Sequence, residues 1–355
     1  MKNTMVIIPA YKPDEKLLAT LKELEESGFE NLLVVNDGSG EEFTPIFENV
    51  KVFSNVTLLE HEVNRGKGAA LKTAFSYINE KMPHIMVAVT ADADGQHLTK
   101  DIRAVAKAAT DSGSVVLGVR DFSDPMVPPR SKAGNKITRT VFQLFFGAKI
   151  TDTQTGLRAF PRKYMTELIG IEGDRYEYET NMLIVLHRHK VPMEQVQITT
   201  VYIEENSSSH FRPVRDSIRV YAFIFKYLLS SVSAAVIDEF GFWLFKCMDV
   251  LAALPIPHTY TAAFLARVLS SLVNYGLNAK VVFKEDAGIA SLVKYYILAA
   301  AQLAVSATLV LLIERYLLIT APILSTLVKM GIDTVLFFFS FRIQHLWVFR
   351  SGKEA

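Results

Sequence analysis

The C-terminal part of the chain carries four apolar blocks, at about 228–252, 259–283, 292–319 and 322–349. Each is long enough for the roughly 20 residues of a membrane-spanning helix. Half of all residues are hydrophobic and the mean hydropathy is positive. The first half of the chain nevertheless alternates like a soluble domain, so the apolar excess lies in these blocks. Asp238, Glu239, Lys246 and Asp249 interrupt the first one. Charges at such depth are rare and usually face a bundle interior, and a buried helix in a soluble domain is the alternative for that block alone.

The loops set an expected orientation. Arg212, Arg215, Arg219 and Lys226 precede the first block, Lys280, Lys284 and Lys294 lie between the second and third, and Arg350 and Lys353 follow the fourth. By the positive-inside rule both termini are expected to face the cytoplasm. From His210 the run HFRPVRDSIRVYAFIFKYLL places its basic residues near helical spacing, with Val214, Ile218, Tyr221 and Phe225 on another face. That pattern fits an amphipathic helix on an anionic membrane surface, where Arg212 and Arg215 could bind an acceptor phosphate; a solvated positive flank accounts for the same charges. No cleavable signal peptide is expected, because VII is too short for an apolar core of that kind. The single cysteine, Cys247, lies in an apolar block, so disulfides play no part. A net charge of +1 gives no support for nucleic-acid binding.

The first half reads as strand, helix, strand. MVIIPAY (Met5 to Tyr11) is a first strand, followed by a helix from about Asp14 to Ser27 and a strand LLVV that ends in Asn36-Asp37-Gly38-Ser39. VTLLEHE, GKGAALKTAFSYINE, HIMVAVT and SVVLGVR continue the alternation, which predicts a parallel sheet with crossover helices. Ligands of such sheets bind beyond the carboxyl ends of the strands, where Asp37, Asp92, Asp94 and Arg120 all fall.

ADADGQH, directly after IMVAVT, is the sharpest of these ends. Hard Mg²⁺ or Mn²⁺ takes oxygen ligands, and a cation held by few carboxylates keeps positions open for phosphate oxygens. Asp92 and Asp94 are candidate ligands, Gln96 a third oxygen donor, and His97 lies within reach; an acidic turn is the plain alternative. Asp37 can accept hydrogen bonds from a nucleobase or ribose, or can cap its turn. Asn64-Arg65-Gly66-Lys67-Gly68 precedes a helical segment whose N-terminus, with a nearby base, suits phosphate. It lacks P-loop spacing.

Five motifs in this order, IIPAYKP, VVNDGS, NRGKGAAL, ADADGQH and DTQTGLRAF, resemble a family 2 glycosyltransferase of GT-A fold. The pattern is closest to the dolichyl-phosphate mannose synthase and polyisoprenyl-phosphate glycosyltransferase branch, and it covers roughly the first 210 residues. The resemblance implies an α/β, mostly parallel GT-A domain over 1–208, an amphipathic juxtamembrane helix over 209–227 and an all-α four-helix transmembrane domain over 228–350. It implies donor contacts from Pro9, Tyr11, Asp37, Lys67, Asp92 and Arg120, and a Mg²⁺ or Mn²⁺ around Asp92, Asp94 and Gln96. Asp94, Arg120 and Asp152 are its implied catalytic residues; for Asp152 base, orienting carboxylate and N-cap all stay open. Asn135, in RSKAGN, and Arg158 are implied on the acceptor side. An acidic residue in YEYET, Glu177 or Glu179, helps shape the site in the family, while a dipole-complementing first turn explains both.

The C-terminal half resembles the GtrA-like family of four-helix membrane domains. Tyr275 to Lys284, YGLNAKVVFK, aligns without a gap on Phe341 to Arg350, FRIQHLWVFR, as a faint internal repeat. It departs from the family's Asn-Arg pair, reading Asn278-Ala279 and Gln344-His345. Asp238, Arg267 and Arg342 are candidate intramembrane pairing charges. Small residues at Ala299–Ala301 and Ser270–Ser271 permit close helix packing and a homo-oligomer. The implied activity is metal-dependent, inverting transfer of a sugar from a nucleotide sugar to a polyisoprenyl phosphate, undecaprenyl by analogy with the fusion, at the cytoplasmic membrane face in cell-envelope glycan synthesis. A transport or flippase component with a nucleotide-sugar-sensing domain is the alternative. A glycolipid or polysaccharide acceptor is disfavoured by the lack of a QxxRW motif.

Overall fold

The computed structural model describes residues 1–124, 127–200, 222–248, 258–283, 288–318 and 322–349. The chain forms two compact units, Met1–Gln143 with Ala148–Val220, and Leu144–Gly147 with Tyr221–Ala355. The basic segment before Tyr221, with Arg212 and Arg215, lies outside the described residues.

The first unit is built on seven strands: β1 (Thr4–Ala10), β2 (Asn31–Asp37), β3 (Val56–His61), β4 (Val87–Thr90), β5 (Val115–Arg120), β6 (Arg158–Pro161) and β7 (Met193–Ile198). Their order is β3-β2-β1-β4-β6-β5-β7. All neighbours are parallel except β6, which runs antiparallel to both β4 and β5. The mostly parallel sheet expected from the apolar runs is therefore present, with one reversed strand. The inner runs of β1, β2, β4 and β5 are apolar and buried because both faces of the sheet are covered there, whereas the edge strands β3 and β7 are partly exposed.

Along β1, Val6 and Ile8 join a core with α1 (Lys16–Glu26), α2 (Thr44–Val50) and α4 (Thr99–Ser112). The intervening Ile7 is equally buried and, by alternation, faces the other side, where α3 (Lys67–Lys81) lies. On α1 the residues Leu17, Leu21 and Leu24 recur at helical spacing and are fully buried. Each such side chain contributes about 1.5–3 kcal/mol by leaving water. Across the opposite face Phe75 of α3 meets Phe160 of β6 edge to face at 5.6 Å. The unit is completed by α5 (Pro129–Val141), α6 (Met165–Gly170) and α7 (Glu177–Arg188).

Among the described residues the second unit holds four helices, α8 (Ala222–Lys246), α9 (His258–Leu277), α10 (Ile289–Leu317) and α11 (Pro322–Ile343). They correspond to the four apolar blocks. Among the described residues, Phe225–Phe245 and Ile289–Leu317 are long and apolar enough to cross a membrane. Leu229, Phe264, Leu303 and Leu311 are exposed on helices from both pairs, as lipid-facing side chains would be.

α8 packs against α9, and α10 against α11, as two hairpins. The second helix of each hairpin passes into a π-helical stretch, Asn278–Phe283 in one and Gln344–Val348 in the other. These are the two halves of the sequence repeat. Their leading amides pair directly, Asn278 Nδ2 donating to Gln344 Oε1 at 3.0 Å. The aromatic residues repeat the relation: Tyr275 stacks near Phe349 at 5.5 Å, and the equivalent Phe341 lies 5.3 Å from Phe283. Asp238 accepts from Ser270 and pairs with Arg267 at 2.9 Å, so this carboxylate is neutralised inside its own hairpin.

Candidate active site

The strand order reverses direction between β1 and β4, and the carboxyl ends of those two strands are where open α/β sheets bind their ligands. Pro9 and Tyr11, at the end of β1, and Asp92 and Asp94, after β4, border that switch point and are all partly exposed. The backbone N–H of Lys12 donates to Ser39 Oγ at 2.9 Å, tying the loop after β1 to the loop after β2.

Lys67, the first residue of α3, reaches across to two carboxylates. Its Nζ lies 2.8 Å from Asp92 Oδ1 and 3.0 Å from Glu179 Oε1 on α7. Burial alone would lower the ammonium's pKa; the two carboxylates more than offset this and hold it above the ordinary lysine range. Burial likewise pushes Asp92 upward, but Lys67 and His97 prevail and keep it well below the usual carboxylate range. His97 Nε2 lies 3.3 Å from Asp92 Oδ2. Asp94 differs: burial and then the charge of Asp92 raise it, against a hydrogen bond from the Gln96 backbone N–H at 3.0 Å. Two neighbouring carboxylates thus stand in opposite electrostatic situations.

Gly156 explains how the chain approaches Asp92 so closely. A Cβ there would lie 2.3 Å from Asp92 Oδ2, so only glycine fits. Gly66 is required for a different reason: its φ is +108° and a Cβ would meet the Asp174 carbonyl oxygen at 2.3 Å.

A second cluster forms at the end of β5. Arg120 Nε donates to Asp152 Oδ2 at 2.7 Å and Nη2 to Oδ1 at 3.1 Å, a bidentate fork. Asp152 is wholly buried and also accepts from the backbone N–H groups of Arg120 and Gln154. Both of its oxygens therefore serve to aim the guanidinium, and the geometry favours the orienting role among the three left open for it.

Three residues placed by resemblance have specific framework contacts. Asp37 is buried, its Oδ1 accepting from Arg65 N–H at 2.9 Å and its Oδ2 from Gly66 N–H at 2.8 Å, with His61 Nδ1 at 2.7 Å. It clamps the loop that delivers Lys67. Arg158, expected on the acceptor side, is instead 1% exposed and donates to the carbonyls of Thr155, Glu179 and Thr153. Burial lowers its pKa while Glu179, Asp152 and Asp92 oppose that, so its charge balances three site carboxylates from beneath. Asn135 is buried on α5, donating to the Thr151 carbonyl at 2.8 Å. Glu179 and His97 are the contacts that the motif reading placed least firmly, and His61 is new. On α7 Tyr178 is buried in the core while Glu179 reaches Lys67, a placement set by the helix and not by any local alternation.

Residues 5–169 match the description "Glycosyl transferase family 2", and residues 226–352 match "GtrA/DPMS, transmembrane domain". An uncharacterized protein of Methanocaldococcus jannaschii is 32% identical over 208 residues, 57% of this chain and 83% of its own length. The UDP-N-acetylglucosamine–dolichyl-phosphate N-acetylglucosaminyltransferase of Methanococcus voltae is 30% identical over 219 residues, covering 56% of this chain and 86% of that protein.

The chain belongs to glycosyl transferase family 2.

It is a glycosyltransferase with a GT-A-like catalytic unit and a membrane domain, which bears out the resemblance drawn on the five motifs. Among solved structures, glucosyl-3-phosphoglycerate synthase from Mycobacterium tuberculosis, in complex with Mn²⁺, UDP and phosphoglyceric acid, superposes with a TM-score of 0.47 at 16% identity, covering 64% of this chain and 78% of that one. Within the family 2 unit, the Lys67, Asp92 and Glu179 cluster and the Arg120–Asp152 fork lie at strand ends and at the helix starts that face them.

Proposed function

We propose that this glycosyltransferase moves a sugar from a nucleotide-sugar donor to a polyisoprenyl phosphate at the membrane surface. The observation that carries the donor half is Lys67, held between Asp92 and Glu179 at the N-terminus of α3. A cationic side chain held between two carboxylates at a strand-end cluster suits a diphosphate oxygen. Arg120, aimed by Asp152, supplies a second cation for charge that develops on the departing group. The acceptor half rests on the membrane domain and on relatives whose names include dolichyl-phosphate transferases, among them the dolichyl-phosphate β-glucosyltransferase of Dictyostelium discoideum, 25% identical over 252 residues, 63% of this chain and 74% of that protein.

In the proposed reaction an acceptor phosphate oxygen, already anionic, forms a bond to the anomeric carbon. The bond from that carbon to the nucleoside diphosphate breaks and its electron pair leaves with the diphosphate. No proton must be removed, so Asp152 is not needed as a base. A single displacement inverts the anomeric centre.

The residues present fit a divalent cation. Asp92 and Asp94 supply hard oxygen donors, and Asp94, raised first by burial and then by the charge of Asp92, is a carboxylate whose ionised form a cation would favour. Among the described residues no three His, Cys, Asp or Glu side chains converge, so a Mg²⁺ or Mn²⁺ here would need further oxygens from the substrate. When bound, such an ion would neutralise charge on the leaving diphosphate. Undecaprenyl phosphate is the carrier we favour, in cell-envelope glycan synthesis, with the catalytic unit and both termini cytoplasmic as the basic loops suggest.

The test is nucleoside-diphosphate release by the detergent-purified chain, with Mn²⁺ or Mg²⁺, a panel of nucleotide sugars, and undecaprenyl phosphate present or omitted. Release that requires both lipid and metal is expected. Equal release without lipid, or none with any donor, would overturn the reading.

A further inference from the structure

The second unit holds a partly open cavity of about 220 Å³ whose wall is drawn from all four helices. Its position follows from the repeat. Besides the paired amides, Lys226-Tyr227 near the start of α8 corresponds to Lys294-Tyr295 near the start of α10, and Asn274 on α9 corresponds to Ser340 on α11. Tyr227, Tyr295, Asn274 and Ser340 all line the cavity, so it lies where the two hairpins meet. Each tyrosine reaches an amide of the opposite hairpin: Gln344 Nε2 donates to the Tyr227 hydroxyl at 3.1 Å, and Asn274 hydrogen-bonds Tyr295. Sites for polar ligands in membrane bundles form at such repeat interfaces.

The lining selects a chemistry. Gln302 and Asp333 complete a polar wall of amides, hydroxyls and one carboxylate, with the Phe337 ring beside them, and among the described residues the wall contains no Lys, Arg or His. Ser306 holds Asp333 by donating to its Oδ1 at 2.6 Å. A phosphate here would be a buried anion facing a carboxylate without a counter-charge, which is costly. An uncharged group rich in hydroxyls fits instead: amide and hydroxyl partners both donate and accept, a carboxylate takes two hydroxyl donors, and an aromatic ring covers a C–H face. The volume is far above the roughly 10–15 Å³ one water needs and below the roughly 300–1,000 Å³ of drug-sized pockets. It suits one compact ring. The lining amides and hydroxyls are already ordered by bonds to one another, Gln344 to Tyr227 and Ser340, and Asn274 to Tyr295 and Ser230, so they are held in place for a polar guest.

We infer that the cavity between the two hairpins is a binding site for a single uncharged glycosyl group. The inference does not depend on the transfer reaction proposed above, since the cavity belongs to the second unit and its occupancy can be read without turnover.

The test is native mass spectrometry of the full chain in lauryldimethylamine oxide, a detergent without sugar. The probes are decyl glucoside, decyl mannoside, decyl N-acetylglucosaminide, decyl phosphate and free glucose. Saturable binding of at least one decyl glycoside, not displaced by decyl phosphate, is expected. Asp333→Ala should weaken it about tenfold or more, the loss of a hydrogen bond to a charged group, and Leu298→Trp should block it by filling the cavity. Leu311→Ala, at an exposed position, should leave it unchanged. Circular dichroism and unfolding temperature identify any variant that fails to fold, and Asp333→Asn then replaces Asp333→Ala. Competition by free glucose as strong as by the glycoside would place the ligand's source in water; competition by alkylated sugar alone would place it in the membrane. No saturable glycoside binding, equal binding by decyl phosphate, or full binding by the folded Leu298→Trp variant would overturn the inference.

Discussion

At the scale of single residues, the site depends on charge balance more than on any one catalytic group. Lys67 neutralises Asp92 and Glu179 at once, so Lys67→Met leaves two carboxylates facing each other where a diphosphate must enter. We expect turnover to fall roughly hundredfold or more, the scale for loss of one charge-stabilising donor, with weaker nucleotide binding measured by calorimetry. Asp152→Asn separates positioning from base catalysis. It should cost up to roughly a hundredfold through misplacement of Arg120, while the pH dependence of the residual activity keeps its shape; loss of a titrating limb from the profile would instead mark a base. Gly156→Ala places a methyl against Asp92 Oδ2, and strain of about 1–3 kcal/mol should appear as a lower denaturation midpoint. Asp92, Lys67 and Arg120 were legible in the sequence because each stands at the end of an apolar run or the start of a helix. Arg158 was not. Nothing within TGLRAF distinguishes a guanidinium that serves a ligand from one that serves three carbonyls, since its partners Thr153, Thr155 and Glu179 are assembled only by the fold.

At the scale of elements, apolar runs located β1, β2, β4 and β5 well because a strand buried on both faces must be apolar throughout, and the edge strand β3 still carries a short apolar core, VTLL. The reversal of β6 was hidden: its four residues, Arg158–Pro161, take their direction from pairing with β4 and β5 rather than from local pattern. The membrane helices were legible by length and hydropathy, but the π-helical ends were not, because their geometry depends on the contact between Asn278 and Gln344. That contact yields a prediction. In a double-mutant cycle with Asn278→Leu and Gln344→Leu, the coupling energy should be about 0.6 kcal/mol and up to about 1.7, the range for hydrogen bonds between membrane helices. A coupling indistinguishable from zero would show that the two amides do not support each other.

At the scale of the whole molecule, the topology proposed from the basic loops sets the catalytic unit and both termini on the cytoplasmic side. Cys247, exposed just after α8, then lies at the opposite surface. A membrane-impermeant maleimide should label it in intact cells and leave it unlabelled in sealed inverted vesicles, and the reverse pattern would invert the proposed topology.

The central claim is that the sugar passes to a lipid phosphate. The most direct measurement supplies the purified chain with polyisoprenyl phosphate and a donor labelled in its sugar, then follows the label by solvent partition and assigns the product's anomeric configuration by NMR. The account predicts an organic-soluble phosphodiester-linked sugar of inverted configuration, absent with Lys67→Met. Label that stays in water despite donor turnover, or a product that retains the donor's configuration, would contradict it.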